Sequence, residues 1–571
     1  MKEVILGQIP ADFDLQKHIP ISPVCFMGKE DIFPDFEDIK YIDISKSVYD
    51  YTTFDKLTND EALSFVNEIA KFFYNEHFKD YSYKFWKAIF YPWLEVIIPF
   101  LFRKQLIIEG FIEKYSSEKL LVILPALAKG NKFHFNTVND FIENGIRNQE
   151  FNEYIYSLFI NKLRPGNWQI NGIVEDQFIY PKESLEPDNK ILEKPVNEIL
   201  DKLLFRSHRT YGFSHLDRIL FHYLLVIKKP IPKNNDLEEP VFQMNINWVI
   251  DVYKTVFSCI PDELVKSDVT VSPRKYIKGK LVNYSMNLYR KSRLDSAHAY
   301  QNNEIVIATQ HGGHMYGSAK SSESLFNTEY SADYFISWGW TDYKEKKLDN
   351  IIVLPSPLLS KLYNKHNEAS KSIIYVGTAM NLFKERFDSG MTEIETLEYR
   401  KNKVKFILSY KKHFGTQDLF YKPYSEQSGF LEDSRYVLKF VPELEILRCN
   451  SKQFHRKLAE SRLLILDHPG TTLNIALALN IPFLLFWVKN WFPFNEQSLF
   501  YLNELERLGI FHNDVESVMN KIISIENSKK GYKDWWNQNS IQELRKKWLL
   551  NFGLTEKRWR KSWIKTLWNL K

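Results

Sequence analysis

The sequence predicts an α/β protein built from two doubly wound, Rossmann-like domains facing a central cleft, with a helix-rich N-terminal part. Three observations carry this prediction. Short, wholly apolar runs recur after residue 300, and helical patterns separate them. Such runs suit parallel strands covered on both faces. They fall into two blocks, and strand–helix alternation in each block argues for a doubly wound sheet. A polar segment, Tyr363 to Ser370 (YNKHNEAS), parts the blocks and reads as a linker.

Composition sets the frame. The chain has 571 residues, 44% hydrophobic and 15% aromatic, with 76 basic and 71 acidic side chains. That length predicts several domains and large cores. Cys25, Cys259 and Cys449 form no CxxC, so neither a disulfide framework nor a zinc ribbon is expected. The start, MKEVILGQIPADF, has too short an apolar run for a secretory signal. A cytoplasmic protein is the expectation.

Thr58-Asn59-Asp60-Glu61 has the form of a capping box, with Ala62, Val66, Ile69 and Phe73 following at helical spacing. The apolar stretch from Phe85 to Phe102 is broken by Lys87, Pro92, Glu95 and Pro99, so a bilayer span is not expected. Residues 85 to 260 read as mostly helical, with breaks at Arg164-Pro165-Gly166-Asn167 and Lys229-Pro230-Ile231-Pro232. The first strand block holds Glu304 to Ala308, Tyr334 to Trp338 and Ile351 to Leu354. The second holds Ser372 to Val376, Leu419 to Tyr421, Tyr436 to Val441, Leu463 to Leu466 and Phe483 to Trp487. The expected domains are 1–365, 370–540 and a basic, Trp-rich tail at 541–571.

The tail carries nine basic and two acidic residues, a net of +7 in a chain of +5. The rest is therefore close to neutral, and nucleic acid is not an expected partner. Trp559, Trp563, Leu567 and Leu570 share one helical face, with Trp568 beside them. Either this stripe packs on the protein itself, or it lies in the headgroup plane of the inner, anionic membrane face.

Two segments carry chemistry. Asp467-His468-Pro469-Gly470-Thr471-Thr472 follows the strand Leu463 to Leu466 and precedes an apolar helical run. Gly470 permits close approach of a ligand to the backbone. Thr471 and Thr472 place amides and hydroxyls at a helix N-terminus, which favours an anion. His468 is placed to donate a hydrogen bond to a phosphate oxygen. The same residues also suit a plain helix cap. Gln310-His311-Gly312-Gly313-His314-Met315-Tyr316-Gly317 follows another strand. Its glycines make a close-approach loop, and His311 is the candidate for proton transfer. No metal is expected, because no further ligand stands at a familiar spacing. Glu329 and Asp333 are candidate bases or nucleophiles. Lys422 is a candidate contact to a nucleotide phosphate. Arg206, His208, Arg209 and His215 form a polar cluster that either meets an anion or pairs with acids such as Asp217.

At these residues the chain resembles bacterial surface-polysaccharide transferases of GT-B fold, which build capsule and O-antigen. The QHGG–Tyr-Gly loop, the strand ending Trp338-Gly339-Trp340 and the DHPGTT–helix–NIP segment carry the resemblance. It is sharpest toward enzymes that use CMP-nonulosonates, such as retaining pseudaminyltransferases. The resemblance implies that His468, Gly470, Thr471 and Thr472 hold the CMP phosphate. It implies a CMP-sugar donor as substrate, no cofactor, and an oligosaccharide or lipid-linked glycan as acceptor. The family's Glu-Asp-Gly or Asp-Asp-Gly triplet is missing, which leaves the base unassigned apart from Glu329 and Asp333. CMP-Kdo transfer, CDP-polyol phosphotransfer (for which His311-Gly312 matches a His-Gly pair) and a non-catalytic capsule scaffold are the other readings.

Overall fold

The computed structural model describes residues 1–29, 51–124, 133–172, 246–270, 282–284, 290–313, 316–344, 346–378, 391–424, 433–528 and 531–569, and parts of 213–224 and 383–387. Arg206, His208, Arg209, His215, His314 and Leu570 lie outside the described residues.

The N-terminal half contains two four-stranded parallel sheets. The first runs β2-β1-β3-β4, from β1 (Lys2–Ile5), β2 (His18–Pro20), β3 (Leu120–Ile123) and β4 (Gln169–Asn171). Sequence reading missed it, since strands of three or four residues are too short to show a period. Two long helices cover it, α1 (Tyr51–Phe73) and α2 (Tyr83–Tyr115), followed by α3 (Gln149–Leu163). The expected capping box is not one: Thr58 lies inside α1, and its hydroxyl donates to the carbonyl of Phe54. Glu61 instead accepts from the Trp248 indole. α2 is long and apolar enough to cross a membrane, but 89% of its apolar window is buried inside the protein. It is the central core helix of this half.

The second sheet runs β10-β7-β6-β5 and holds the first predicted strand block. Its strands are β5 (Val282–Tyr284), β6 (Val306–Thr309), β7 (Tyr334–Ser337) and β10 (Ile351–Val353), with α4 (Arg290–Gln301) between β5 and β6. A short hairpin, β8 (Asp342–Tyr343) and β9 (Lys346–Lys347), follows β7.

The C-terminal lobe has one six-stranded parallel sheet, ordered β13-β12-β11-β14-β15-β16. The strands are β11 (Ile373–Val376), β12 (Leu419–Lys422), β13 (Glu445–Ile446), β14 (Leu463–Leu466), β15 (Phe483–Phe486) and β16 (Phe511–His512). Counted within the lobe this is the order 3-2-1-4-5-6 of a doubly wound fold. Helices α5 (Glu393–Phe414), α6 (Asp433–Phe440), α7 (Ser451–Glu460) and α8 (Thr471–Leu479) connect its strands. One expected strand is wrong. Tyr436 to Val441 falls on helix α6, where Tyr436 and Val437 are buried and Phe440 is exposed. The two α/β lobes make the GT-B-type arrangement that the sequence predicted.

The tail is two helices, α9 (Asn539–Phe552) and α10 (Trp559–Asn569). α9 packs on α8. α10 folds back under the N-terminal half, where Trp559, Trp563 and Leu567 are buried with Ile305, Ile307, Tyr334 and Ile336. The Trp563 indole donates to the carbonyl of Pro355 at 2.9 Å. Trp559, Trp563 and Leu567 of the apolar stripe thus pack on the protein's own sheet. Arg558, Arg560, Lys561 and Lys565 stay on the exposed face. Trp563→Ala is expected to cost about 3–5 kcal/mol by opening a cavity. A downward shift of the urea midpoint checks it.

Candidate active site

The site forms where the carboxyl ends of β6 and β14 approach each other. In the C-terminal lobe the order of strands reverses between β11 and β14, and ligands of doubly wound sheets bind at that switch point. The turn Asp467 to Gly470 leaves β14 there and enters α8. Gly470 is the N-cap of α8, and no side chain caps the helix. The first amides of a nine-residue helix are therefore not taken by a capping side chain. The His468 ring lies over Gly470: a β-carbon there would sit 2.7 Å from Nε2. Nδ1 is 2.9 Å from Asp467 Oδ1. The carboxylate thus sets the ring's orientation and leaves Nε2 facing the start of α8.

Asp467 is itself fixed by a buried network. The Tyr399 hydroxyl donates to its Oδ2, and Lys403 Nζ lies 3.8 Å away. Lys403 also pairs with Asp433, which Arg400 contacts at 3.1 Å. Burial pulls the Asp433 carboxyl up, but Lys403 and Arg400 hold it below the usual range. Two cations balance two carboxylates, so neither sign is stranded in the interior. Sequence reading missed this support. Its signal was available: Tyr399, Arg400 and Lys403 lie within about one turn of α5, on a face that the fold buries.

Gln310 to Gly313, with Tyr316 and Gly317, forms the opposing bend. Gln310 is fully buried and is a positioning residue. Its Oε1 accepts from the Trp338 amide at 2.8 Å and the Trp340 indole at 2.9 Å, and its Nε2 donates to the carbonyl of Gly312 at 3.1 Å. This ties the QHGG loop to the Trp-Gly-Trp strand end. Gly317 has φ +75°, and a β-carbon there would strike the Trp340 ring at 2.3 Å.

The two bends meet. A β-carbon on Gly313 would lie 2.6 Å from Gly470 C and 2.7 Å from Thr471 N; one on Gly312 would lie 3.7 Å from Thr471 Oγ1. Asn495 Nδ2 donates to the carbonyl of Gly317 at 2.7 Å, and a bridge pairs Ala319 with Phe494. The expected gap is thus a closed seam. It is not dry, because His311, Gly312, His468, Thr471 and Thr472 are all partly exposed along it.

His311 is joined to Glu329 through Tyr316. The Tyr316 hydroxyl is 2.7 Å from His311 Nδ1 and donates to Glu329 Oε2 at 3.1 Å. Glu329, on the π-helical turn Phe326–Tyr330, is buried and 3.8 Å from His311 Nδ1. Burial pushes the His311 imidazole down to about 4 and the Glu329 carboxyl well above the usual range. At neutral pH the imidazole is therefore neutral, and burial favours the uncharged form of Glu329. Glu329 is therefore a positioning residue behind Tyr316, with no access for a nucleophilic role. Activity that relies on neutral His311 is expected to hold from about pH 5 to 8 and to fall on an acid limb near 4. Glu329→Gln, which copies the uncharged form that burial favours, is expected to keep turnover within about three-fold. A pH–rate profile of both proteins checks this pair.

Asp333 needs correction. Its carboxylate accepts from the Val306 amide at 2.8 Å, at the amino end of β6. The bend is at the other end, roughly 13 Å along a four-residue strand. Asp333 closes the strand start and is remote from the chemistry. Lys422 also lies off the site. Its Nζ donates to the carbonyl of Pro423 and sits 5.5 Å over the Phe454 ring, on a strand separated from β14 by β11. Pro469 is buried in the turn. Asp217 accepts from Arg560 of the tail.

A family model described as LIC12162 family transferase matches residues 2–567. No curated protein matches the chain. Among solved structures, S. aureus MnaA with UDP is 12% identical, covering 51% of this chain and 74% of its own, at a TM-score of 0.32. TarM is 11% identical, covering 54% and 58%, at 0.32. An O-GlcNAc transferase mutant of Thermobaculum terrenum is 9% identical, covering 91% and 83%, at 0.31. Scores near 0.3 are too low to carry any part of the assignment.

Proposed function

The chain belongs to the LIC12162 family of transferases, and on that premise we propose that it is a glycosyltransferase that moves a nonulosonic acid from a CMP donor to a sugar acceptor of a surface polysaccharide. The observation that carries this reading is the contact of Gly313 with Gly470 and Thr471. It sets a neutral imidazole from one lobe beside an uncapped helix N-terminus and an oriented imidazole from the other.

The division of labour follows from those groups. His468 Nε2, the first amides of α8 and the hydroxyls of Thr471 and Thr472 receive the phosphate of the donor, where charge grows as the glycosidic bond breaks. The leaving group of such a donor is a single phosphate rather than a diphosphate, and the reading includes no metal. His311 accepts the proton of the attacking hydroxyl. The lobes must part along the seam to admit the donor and close to exclude water. A contact of the exposed tail cations with an anionic bilayer would be electrostatic and weakened by salt.

The test is a donor panel of CMP-pseudaminate, CMP-sialate, CMP-Kdo and CDP-glycerol with product mass spectrometry. Consumption of a CMP-nonulosonate with transfer to a glycan supports the reading. Consumption of CDP-glycerol alone replaces it with phosphotransfer. A protein that consumes no donor and whose melting point no nucleotide raises is a scaffold.

A further inference from the structure

Asn495 works on both sides of the seam. It is the N-cap of the helix Glu496–Arg507, and its Oδ1 accepts from the Ser498 amide at 2.9 Å. Leu502 and Leu505 of that helix are buried in the core of the C-terminal lobe, so the residue is anchored there. With Oδ1 committed to the cap, Nδ2 points across the seam and donates to the carbonyl of Gly317 at 2.7 Å. The backbone follows the side chain. Asn495 N donates to Ser318 O at 3.0 Å and Lys320 N to Pro493 O at 2.9 Å, on either side of the Ala319–Phe494 pair. These bonds make a short antiparallel ladder between the lobes. Its far strand is tied to the N-terminal half, where Ser321 Oγ donates to Asp55 Oδ2 of α1 at 2.8 Å.

A helix cap alone does not call for asparagine, since aspartate and serine serve as well. Asp514 does so for the helix Val515–Glu526, where it accepts from the Ser517 amide at 2.7 Å. An ionised carboxylate only accepts, whereas a carboxamide both accepts and donates. At Asn495 both halves of the amide are used, one in each lobe. The carbonyl it takes belongs to the residue after Tyr316. The Tyr316 hydroxyl lies 2.7 Å from His311 Nδ1, and the Tyr316 amide donates to Gly313 O at 3.0 Å.

We propose that Asn495 is a positioning residue for transfer: through it the C-terminal lobe holds Tyr316, and with it the His311 imidazole, against the start of α8. The role of His311 as base rests on the transferase reading above; its placement by Asn495 does not.

Asn495→Asp tests this, because it keeps the cap and sets a second acceptor against the Gly317 carbonyl. In the full chain labelled with 15N-histidine, the imidazole signals of His311, assigned with His311→Asn, should shift in Asn495→Asp. They should stay in place in Asp514→Asn, the reverse change at a cap inside one lobe. With the donor identified by the panel, kcat of Asn495→Asp should fall about ten-fold or more. The donor KM should stay within about three-fold, because the C-terminal lobe keeps its phosphate contacts. A role confined to capping would move neither reading. Asn495→Ser, which caps but is too short to reach the carbonyl, gives the same two readings if the aspartate variant does not fold. Unshifted His311 signals, or a kcat within about two-fold of the parent's, overturn the proposal. If no donor on the panel is consumed, the transferase reading fails and the histidine signals alone decide the placement.

Discussion

His468→Ala is expected to lower turnover by about a hundred- to a thousand-fold, the range seen when one preorganised donor to a developing anion is removed. The fold should be unaffected, because the ring is partly exposed and is held by the carboxylate of Asp467 at the surface of the turn. A single-turnover assay with the donor identified by the panel reads the loss, and an unchanged melting point shows that it is chemical. Asp467→Asn should follow it in part. The amide keeps the shape but offers no charge to the imidazole, and it also disturbs Tyr399 and Lys403. Near-parental turnover in His468→Ala would remove the phosphate site.

Gly313→Ala is expected to cut kcat/KM about a hundred-fold, the scale of a 1 Å displacement of catalytic groups. The added methyl meets Gly470 C, Gly470 O and Thr471 N at 2.6–2.8 Å, and these are backbone atoms that no rotamer change can move. Gly313 is not among the glycines of positive φ, so the backbone itself accepts alanine and only the contact is at stake. The two bends must then separate, and His311 moves away from the start of α8. The melting point should change little, since other contacts such as Asn495 to Gly317 still join the lobes. Full activity in Gly313→Ala would show that the contact of the bends has no part in catalysis.

Much of the C-terminal lobe was legible because its strands are buried on both faces. LLIL and FLLF are apolar at every position, and such runs announce themselves without any partner. The Asp467–Thr472 turn was legible for the same reason, since a strand and an apolar helix bracket it. The first sheet was not, because β1, β2 and β4 are short and mix buried with partly exposed residues. Tyr436 to Val441 misled because its aromatic and β-branched content suits a strand, whereas its burial follows a helical face. Thr58 misled because a capping pattern in sequence does not state where the helix begins. Asp333 and Glu329 lie four residues apart, yet one closes a strand start and the other backs His311. Only the path of the chain around the π-helical turn separates them.

By itself the sequence determined the α/β class, the two strand blocks and the two glycine-bearing bends, because apolar periodicity and small residues are local properties. Tertiary structure alone decided that the bends touch and that Gln310 holds a loop in place. It also decided that burial keeps His311 neutral and raises the Glu329 carboxyl, and that Trp559 and Trp563 of the tail serve the core. Each of these depends on groups distant in the chain sharing one low-dielectric space, and no local pattern encodes that distance.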